Sequence, residues 1–583
     1  MNFPLSQLDS YKLSHHGFMD AATQRIYSNL TARSSKHLNV NKDHYDDKAV
    51  FFGLQAFIKD YLINDWNNKF FSQPKEVVIG KFKRLVDAYL GQGAIPMDHF
   101  EALHDLGYLP IQIKALPEGS RVNIKVPFLT ITNTHPDFAW LTNYLETVMS
   151  CELWKPITTA TIAYEYRKLV NEYALKTTGS INFTEFQLHD FSFRGMSGRK
   201  DAAANGAAFL LSSCGTDTVP ALEFLEEYYN ADVTKEFIAT SVPASEHSIS
   251  CAGTAVRGEL ESYRKWITQD YPTGIVSLVS DTYDYWRVLT EYLPALKEDI
   301  LARPINAIGL SKVVIRPDSG NPADIICGIE IKSLKRFPVG GTLEDWKEWV
   351  AETLHEQFCT NLDPVDPHPS ETEIYRCPVD GKVYEVTYEP DLNRHDKTYY
   401  YVDNYGSQVS KCVFDDVTLS AEQKGSVELL WETFGGTVTE QGYKVLDSHI
   451  GLIYGDSITP AVALDVFQRL EAKGFASTNI VFGVGSYTMQ YVTRDSLGMA
   501  VKATYAEVGG VGYELFKDPI TDSGMKKSAK GLLKVTKDEQ GNFILHDQVS
   551  WEEEKTGELK TVFLDGVLTS ETSLSEIRDL LWK

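Results

Sequence analysis

The sequence predicts an α/β barrel accompanied by β-rich segments from both ends of the chain. Three observations predict it. From about residue 238, short apolar runs stop abruptly at polar residues or glycine: IATSVPASEH, IVSLVSDTYD, KVVIRPDSGNP, HIGLIYGDSIT and NIVFGVGSY. Segments with helical apolar spacing, such as 285–300 and 461–473, lie between them, and strand–helix alternation means βαβ units around a parallel sheet. Near the C-terminus, 512–517, 531–536 and 542–546 return to short alternating runs punctuated by Gly, Asp and Lys, a β pattern that can pair with the N-terminal segment. An open doubly wound sheet also binds ligands at strand ends. Five unlike strand ends carrying chemistry favour a barrel, whose strand ends gather around one mouth.

The first half mixes element types. Residues 81–90 have helical spacing. IQIKALPEGSRVNIKVPFLTIT (111–132) alternates around Pro117-Glu118-Gly119 and predicts a hairpin. Residues 140–175 predict two helices broken near Lys155-Pro156, since proline removes a helical hydrogen bond. The Ala-rich stretch 202–211 continues as helix.

One block breaks the rhythm. Residues 328–424 are acidic and aromatic, with a loop-like cluster NLDPVDPHPSE and then IYRCPVDGKVYEVTYEP, a hairpin turning at Asp380-Gly381. The chain is thus divided into an N-terminal α+β segment 1–150, making a β-rich domain with 500–583, and an α/β barrel catalytic domain 151–500. Within the barrel sits an inserted acidic subdomain, 328–424.

Composition narrows the function. The 583 residues carry 56 Lys and Arg against 80 Asp and Glu, a net charge of −24. That balance argues against a general binder of nucleic acid or acidic membrane, while leaving room for a local phosphate pocket. No apolar run reaches the length of a membrane span, and MNFPLSQLDSYKLSHH has neither the basic nor the apolar region of a secretory signal. The seven cysteines are widely spaced with no CxxC pair, which fits reduced thiols and a cytoplasmic protein.

The strand ends hold the candidate chemistry. Arg316 and Asp318, two residues apart in an extended segment, share one side of it; an arginine fork grips phosphate and a carboxylate holds Mg²⁺ or sugar hydroxyls. Gly485 and Ser486 follow a strand and open a helix, where backbone N–H groups can approach a phosphate. Arg494, Lys502 and Lys517 follow as cations. Gly455-Asp456 and Ser280-Asp281 end two further strands, and His247, ending SVPASEH, is a candidate proton or phosphoryl acceptor. In His189-Asp190-Phe191-Ser192-Phe193-Arg194-Gly195, Phe191 can stack on a flat ring and Arg194 can meet a polar substituent or phosphate. Asp217, beside a glycine turn, can accept from an amide. There is no Walker A loop, HExxH or EF-hand; the metal, if any, is Mg²⁺ carried on a phosphate substrate.

Taken in order, DSYKLSH (9–15), FFGLQ (51–55), WLTNYLET (140–147), HDFSFRG, GTDTV, SVPASEHS, VSDTYD, IRPDSGNP, YGD, VTRD and FKDP (516–519) resemble the nicotinamide phosphoribosyltransferase family over nearly the whole chain. Block 328–424 has no counterpart in that pattern. The resemblance implies an irregular α/β barrel of the type II phosphoribosyltransferase kind plus a β-rich domain. It implies transfer of phosphoribosyl from phosphoribosyl pyrophosphate to nicotinamide in NAD salvage, with Mg²⁺, ATP coupling through a phosphorylated histidine, and homodimers with shared sites.

By motif, the resemblance assigns Phe191 and Tyr11 (from the partner subunit) to the two faces of the pyridine. Asp217 takes the carboxamide, and Arg194 lies beside ring and phosphate. Arg316 and Asp318 hold ribose and diphosphate, and Gly455 and Asp456 the ribose hydroxyls. Arg33, Gly485, Ser486, Arg494, Lys502 and Lys517 bind phosphates. His247 accepts the phosphoryl group, oriented by Asp281. Two motifs depart: the family's GDGVD reads Gly455-Asp456-Ser457-Ile458-Thr459, and its glycine run reads Val484-Gly485-Ser486-Tyr487, which crowds the phosphate loop. The rivals are nicotinate phosphoribosyltransferase, another phosphate-binding barrel enzyme such as an isomerase or aldolase, and a non-catalytic binding protein.

Overall fold

The computed structural model describes residues 3–42, 44–332, 334, 337–358, 370–390, 399–402, 409–455, 457–516 and 529–583. The chain forms two compact units. One comprises Met1–Leu169, Glu185–Ser241 and Gly483–Lys583; the other comprises Val170–Thr184 and Val242–Phe482.

The first unit is built on a seven-stranded antiparallel sheet. Its order is Val511–Glu514, Ala500–Val508, Thr23–Thr31, Pro127–Asn133, Ile111–Ala115, Lys560–Leu564 and Val567–Leu568, so N- and C-terminal strands interleave as expected. Every residue of the central strand Pro127–Asn133 is buried. Leu30 lies opposite both Leu129 and Val501, and Ile113 opposite Ile131, which sets apolar pairs across the sheet. Phe51, Trp66, Phe100, Phe128 and Trp140 fill the core beside it.

Two local expectations are corrected. The hairpin over 111–132 is interrupted: Ile111–Ala115 pairs with Pro127–Asn133, but the intervening Arg121–Asn123 pairs with Lys48–Val50. The Pro117–Gly119 turn leads away from the sheet because Gly119 (φ +89) packs against the Ile577 backbone of the C-terminal helix. Pro156 does not break a helix either. The break falls at Leu145, and Glu146–Thr178 runs through Pro156 unbroken. Leu153, Ile157 and Ala160 are fully buried around it, and Pro156 packs on Gly53, so tertiary contact outweighs the lost hydrogen bond.

Parallel strands make the α/β half-barrel. In the second unit, Gly274–Val279 pairs with Ser311–Arg316, that strand with Ile450–Tyr454, and Ile450–Tyr454 with Ile480–Val484, all parallel. Ile450–Tyr454 is buried throughout, the mark of a strand covered on both faces. In the first unit, Leu188–Asp190 runs parallel to Gly215–Thr216, each followed by a helix (Arg199–Phe209 and Pro220–Tyr229). The run after Ile238 bridges Gly215 through Thr240 and, in the second unit, Ser277 through Ala244.

The block after Cys327 carries its own core. A four-stranded antiparallel sheet (Glu371–Arg376, Val383–Pro390, Val409–Asp416, Tyr399–Val402) and the helix Leu343–Phe358 bury Trp346, Leu354, Tyr375, Val386 and Cys412. The hairpin turns at Gly381, φ +75. Gly328 and Gly425 touch backbone to backbone where this block begins and ends, and a Cβ on either would overlap the other strand of chain. The cluster NLDPVDPHPSE lies almost wholly outside the described residues. Among the described residues no helix is long and apolar enough to cross a membrane, and the six described cysteines are free.

Candidate active site

Phe191 and Asp217 come from the ends of two adjacent parallel strands of the first unit. His189 is in register with Gly215 and Asp190 with Thr216. The turn is held by backbone: Phe191 N donates to Val484 O (3.0 Å) and Asp217 N to Asp190 O (2.9 Å). The fully buried Asp190 carboxylate accepts from Ser192 N at 2.8 Å, and burial holds its pKa above the ordinary carboxylate range. Asp217 Oδ1 accepts from Ser241 Oγ (2.6 Å) and lies 2.8 Å from His189 Nε2. The carboxylate is half exposed, while the His189 side chain is 11% exposed. The Phe191 ring centre is 4.9 Å from the imidazole, tilted by 57°. Arg194 sits exposed in the following turn, Phe193–Gly195.

Gly485 and Ser486 lie where the strand Ile480–Val484 gives way to the short helix Ser486–Met489. Ser486 rests directly on Gly195. Tyr487 stacks on Tyr491, centres 4.7 Å apart and 8° from parallel. Below this loop, Lys155 Nζ reaches Asp201 Oδ2 (2.7 Å) and Gln490 Oε1 (2.5 Å), and Gln490 Nε2 donates to Ser197 Oγ (2.5 Å). The long helix thereby braces both the 195–198 turn and the 485–490 turn.

Arg33, Arg494 and Lys502 meet around a cavity of about 200 Å³, lined also by Glu146, Ser150, Ala500 and Val501. Arg33 Nε donates to Gly498 O (2.8 Å), which holds its guanidinium at the rim. Glu146 is engaged by the buried Lys12 at 2.6 Å. Three cationic side chains against one carboxylate give the cavity lining a positive charge balance. Tyr11 is 58% exposed; partial burial, with Asp9 and Glu146 nearby, raises its phenol above the ordinary value. Its ring contact is His15. Lys517 lies outside the described residues.

The second unit assembles His247, Asp281, Arg316 and Asp318. His247 opens the helix His247–Arg257. Its Nε2 is 3.7 Å from Asp281 Oδ1 and 3.9 Å from Asp318 Oδ2, and its Nδ1 is 3.3 Å from Thr282 Oγ1. Asp281 is buried: Oδ2 accepts from Asp318 N (2.9 Å) and Ser319 Oγ (2.6 Å), leaving Oδ1 aimed at the imidazole with no other partner among the described residues. Arg316 donates to Ser245 O (2.6 Å) and pairs with Asp318 at 3.6 Å. Gly455 ends the strand Ile450–Tyr454; Asp456 lies outside the described residues. Next, Ser457 takes a left-handed backbone, φ +55.

Among the described residues no group of three or more His, Cys, Asp or Glu is placed to hold a metal ion. The donors present fit a divalent cation that arrives on a phosphate substrate and borrows one carboxylate. Sequence reasoning gave no role to His189, Ser241, Ser245, Thr282, Lys12 or Glu146. Ser241 and Ser245 lie inside the SVPASEH run, but a serine's partner is set by the fold and leaves no local pattern.

In the first unit the ends of parallel strands bring Phe191 and Asp217 around His189, and in the second unit a histidine lies near two carboxylates; polar groups gathered at the ends of parallel strands mark a ligand-binding α/β fold. The sequence profile described as the nicotinate phosphoribosyltransferase (NAPRTase) family matches residues 186–365 and 409–566. A relative from Acinetobacter baylyi, named nicotinamide phosphoribosyltransferase, is 48% identical over 578 residues, covering 99% of this chain and 97% of the relative. One of the same name from Mycoplasma pneumoniae is 29% identical, covering 88% and 92%. The crystal structure of nicotinate-nucleotide pyrophosphorylase from Pyrococcus furiosus aligns with a TM-score of 0.49 at 12% identity, covering 99% of this chain and 95% of that one. The chain belongs to the nicotinate phosphoribosyltransferase family and is a phosphoribosyltransferase.

Proposed function

We propose that this chain transfers the phosphoribosyl group of phosphoribosyl pyrophosphate to nicotinamide, as a nicotinamide phosphoribosyltransferase of NAD salvage in the cytoplasm. The observation that carries the substrate choice is Asp217, a half-exposed carboxylate that meets the same His189 imidazole as the Phe191 ring. An amide donates to it; a carboxylate substrate would meet like charge. In the reaction the bond from ribose C1 to the diphosphate oxygen breaks and a bond from C1 to the pyridine nitrogen forms. Phe191 stacks on the ring and Asp217 holds its edge, which lines up the nitrogen, a positioning effect. Arg194 contacts the ring edge and phosphate. Arg316 and Asp318 hold ribose and diphosphate, Gly455 and Asp456 the ribose hydroxyls. Arg33, Arg494, Lys502 and Lys517, with Gly485 and Ser486, bind phosphate oxygens. Asp318 would be the protein carboxylate for a Mg²⁺ carried on the diphosphate, which would supply neutralising charge to the leaving group.

His247 is the phosphoryl acceptor that couples ATP. Asp281 and Asp318 beside Nε2 and Thr282 Oγ1 beside Nδ1 orient the imidazole. The γ-phosphorus–oxygen bond of ATP breaks, a nitrogen–phosphorus bond forms, and ADP departs. The enzyme is a homodimer in which Tyr11 comes from the partner subunit. Consistent with that, among the described residues the ring contact of Phe191 is His189 and that of Tyr11 is His15.

The test is product chromatography after incubation with phosphoribosyl pyrophosphate and Mg²⁺, offering nicotinamide or nicotinate, with and without ATP. Nicotinamide mononucleotide from the amide is expected, and Asp217→Ser weakens amide use and relieves nicotinate exclusion. Product from nicotinate alone would make the enzyme a nicotinate phosphoribosyltransferase and leave Asp217 misassigned.

A further inference from the structure

We propose that His189 is a positioning residue for amide selection, acting on the pyridine site through both Asp217 and Phe191; this rests on the reading of Asp217 as the amide acceptor. A buried histidine usually satisfies its ring on backbone or lies on an apolar face. Here the imidazole spends Nε2 on a carboxylate that is itself 48% exposed, at 2.8 Å. Its ring face borders Phe191, centres 4.9 Å apart. The seat is shaped for it: a Cβ at Gly215 would stand 2.7 Å from Nδ1 and 3.0 Å from Leu188 O, so only glycine leaves room for the ring at that register position. One side chain is thus wedged between the ring wall, the edge acceptor and the neighbouring strand.

The chemistry follows from the donors. Oδ1 of Asp217 receives Ser241 Oγ–H at 2.6 Å and the Nε2–H of His189. Two donors on one oxygen restrain the carboxylate from turning about its Cβ–Cγ bond. The plane of the carboxylate, and hence the direction in which it accepts an amide N–H, is set before substrate arrives. Without His189 the carboxylate is held less firmly in that plane. A misaligned Asp217 accepts the amide poorly, so the preference between the two pyridines narrows. The same loss lets Phe191 tip, because its neighbouring ring is gone.

The test is steady-state kinetics on His189→Phe, which keeps ring bulk without the donor, and His189→Gln, which keeps an N–H. Loss of one hydrogen bond to a charged group corresponds to about 10- to 100-fold in affinity. His189→Phe is therefore expected to raise KM for nicotinamide by about that factor, with kcat and the KM for phosphoribosyl pyrophosphate nearly unchanged. The nicotinate-to-nicotinamide ratio of kcat/KM should rise by about 10-fold or more, and His189→Gln, which restores a donor but not the ring, should recover the selectivity and part of the KM. Ser241→Ala, a milder change on the same oxygen, should raise KM in the same direction should His189→Phe not fold. An unchanged nicotinamide KM in His189→Phe, or an equal loss in both substrates' KM with no rescue by glutamine, overturns the proposal. Asp217→Asn separates the two readings. If it leaves the amide KM unchanged, the acceptor assignment itself fails; if it raises KM while the His189 variants do not, only the role of His189 fails.

Discussion

Gly195 lies so close to Ser486 that a Cβ on residue 195 would overlap the serine side chain. The loop carrying Phe191 and Arg194 and the loop carrying Gly485 are thus fitted to each other at one glycine. Read alone, Val484-Gly485-Ser486-Tyr487 predicts a phosphate loop crowded by side chains. The structure disposes of both added groups: Ser486 takes the space that Gly195 leaves, and Tyr487 stacks on Tyr491.

Gly195→Ala should therefore damage phosphate binding by displacing Ser486. Serine is too short to swing clear, so one loop must move. KM for phosphoribosyl pyrophosphate should rise by about 10-fold or more, since misplacement by an ångström is costly at a positioned site. Adding Ser486→Gly should restore it. Kinetics on the pair decide the matter: two additive losses in place of rescue would show that the loops do not depend on this contact.

Lys155 and Asp201 form a nearly buried pair that braces the same two turns from below, with side chains 9% and 21% exposed. Lys155→Met should destabilise the protein by about 2 kcal/mol, below the cost of a stranded buried charge, because Asp201 loses its cation but keeps other donors. Asp201 keeps Ser197 N (2.8 Å) and Asn205 Nδ2 (2.8 Å), so its carboxylate is not stranded. Urea unfolding measures the loss; a shift under about 0.5 kcal/mol would place this pair among ordinary surface bridges.

Ser457 replaces the glycine of the family's GDGVD and keeps the left-handed backbone that glycine takes without cost, φ +55. The strain is about 1 kcal/mol. Ser457→Gly should gain most of that, less the extra chain entropy of glycine in the unfolded state. Calorimetric melting of the two proteins checks the sign, and a lower melting temperature in the glycine variant would mean that the Ser457 side chain contributes more than the backbone loses.

What could be read in the sequence follows the range of the forces. Four of the five strand ends, the Asp380-Gly381 hairpin and the N- and C-terminal β segments are local patterns of apolar spacing and turn residues and are found where they were read, whereas IATSVPASEH forms only isolated bridges at Thr240 and Ala244. Pro156 and the 111–132 hairpin were misjudged because distant partners decide them: Gly53 and the buried face of a 33-residue helix in one case, Lys48–Val50 and Ile577 in the other. Asp217, Arg316, Asp318 and His247 are legible because charged groups at strand ends stand out. His189 and Ser241 are not, because their meaning lies in contacts across 28 and 24 residues.

Glu118 makes stability fall with pH. Its carboxyl is fully buried and accepts from Gly53 N (2.6 Å), Gln55 N (2.6 Å) and Tyr229 Oη (2.9 Å). Burial outweighs these donors and pushes its pKa up to about 7, from 4.5. The native state therefore holds a proton that the unfolded chain has released. The stabilisation is fully present below about pH 4.5 and is lost as pH rises through 7, roughly 3 kcal/mol in all. His99 acts in the opposite sense: burial, with His16 stacked at 4.2 Å, lowers its pKa to about 3, so its contribution is present above 6.5 and lost as pH falls through 3. The two slopes oppose each other between about pH 4.5 and 6.5, and of these two groups Glu118 is the one that acts above that. Melting temperature should thus fall between pH 6.5 and 8 in the parent, and the fall should vanish in Glu118→Gln, whatever the absolute cost of the amide. The same slope in both proteins would assign the pH dependence to another group.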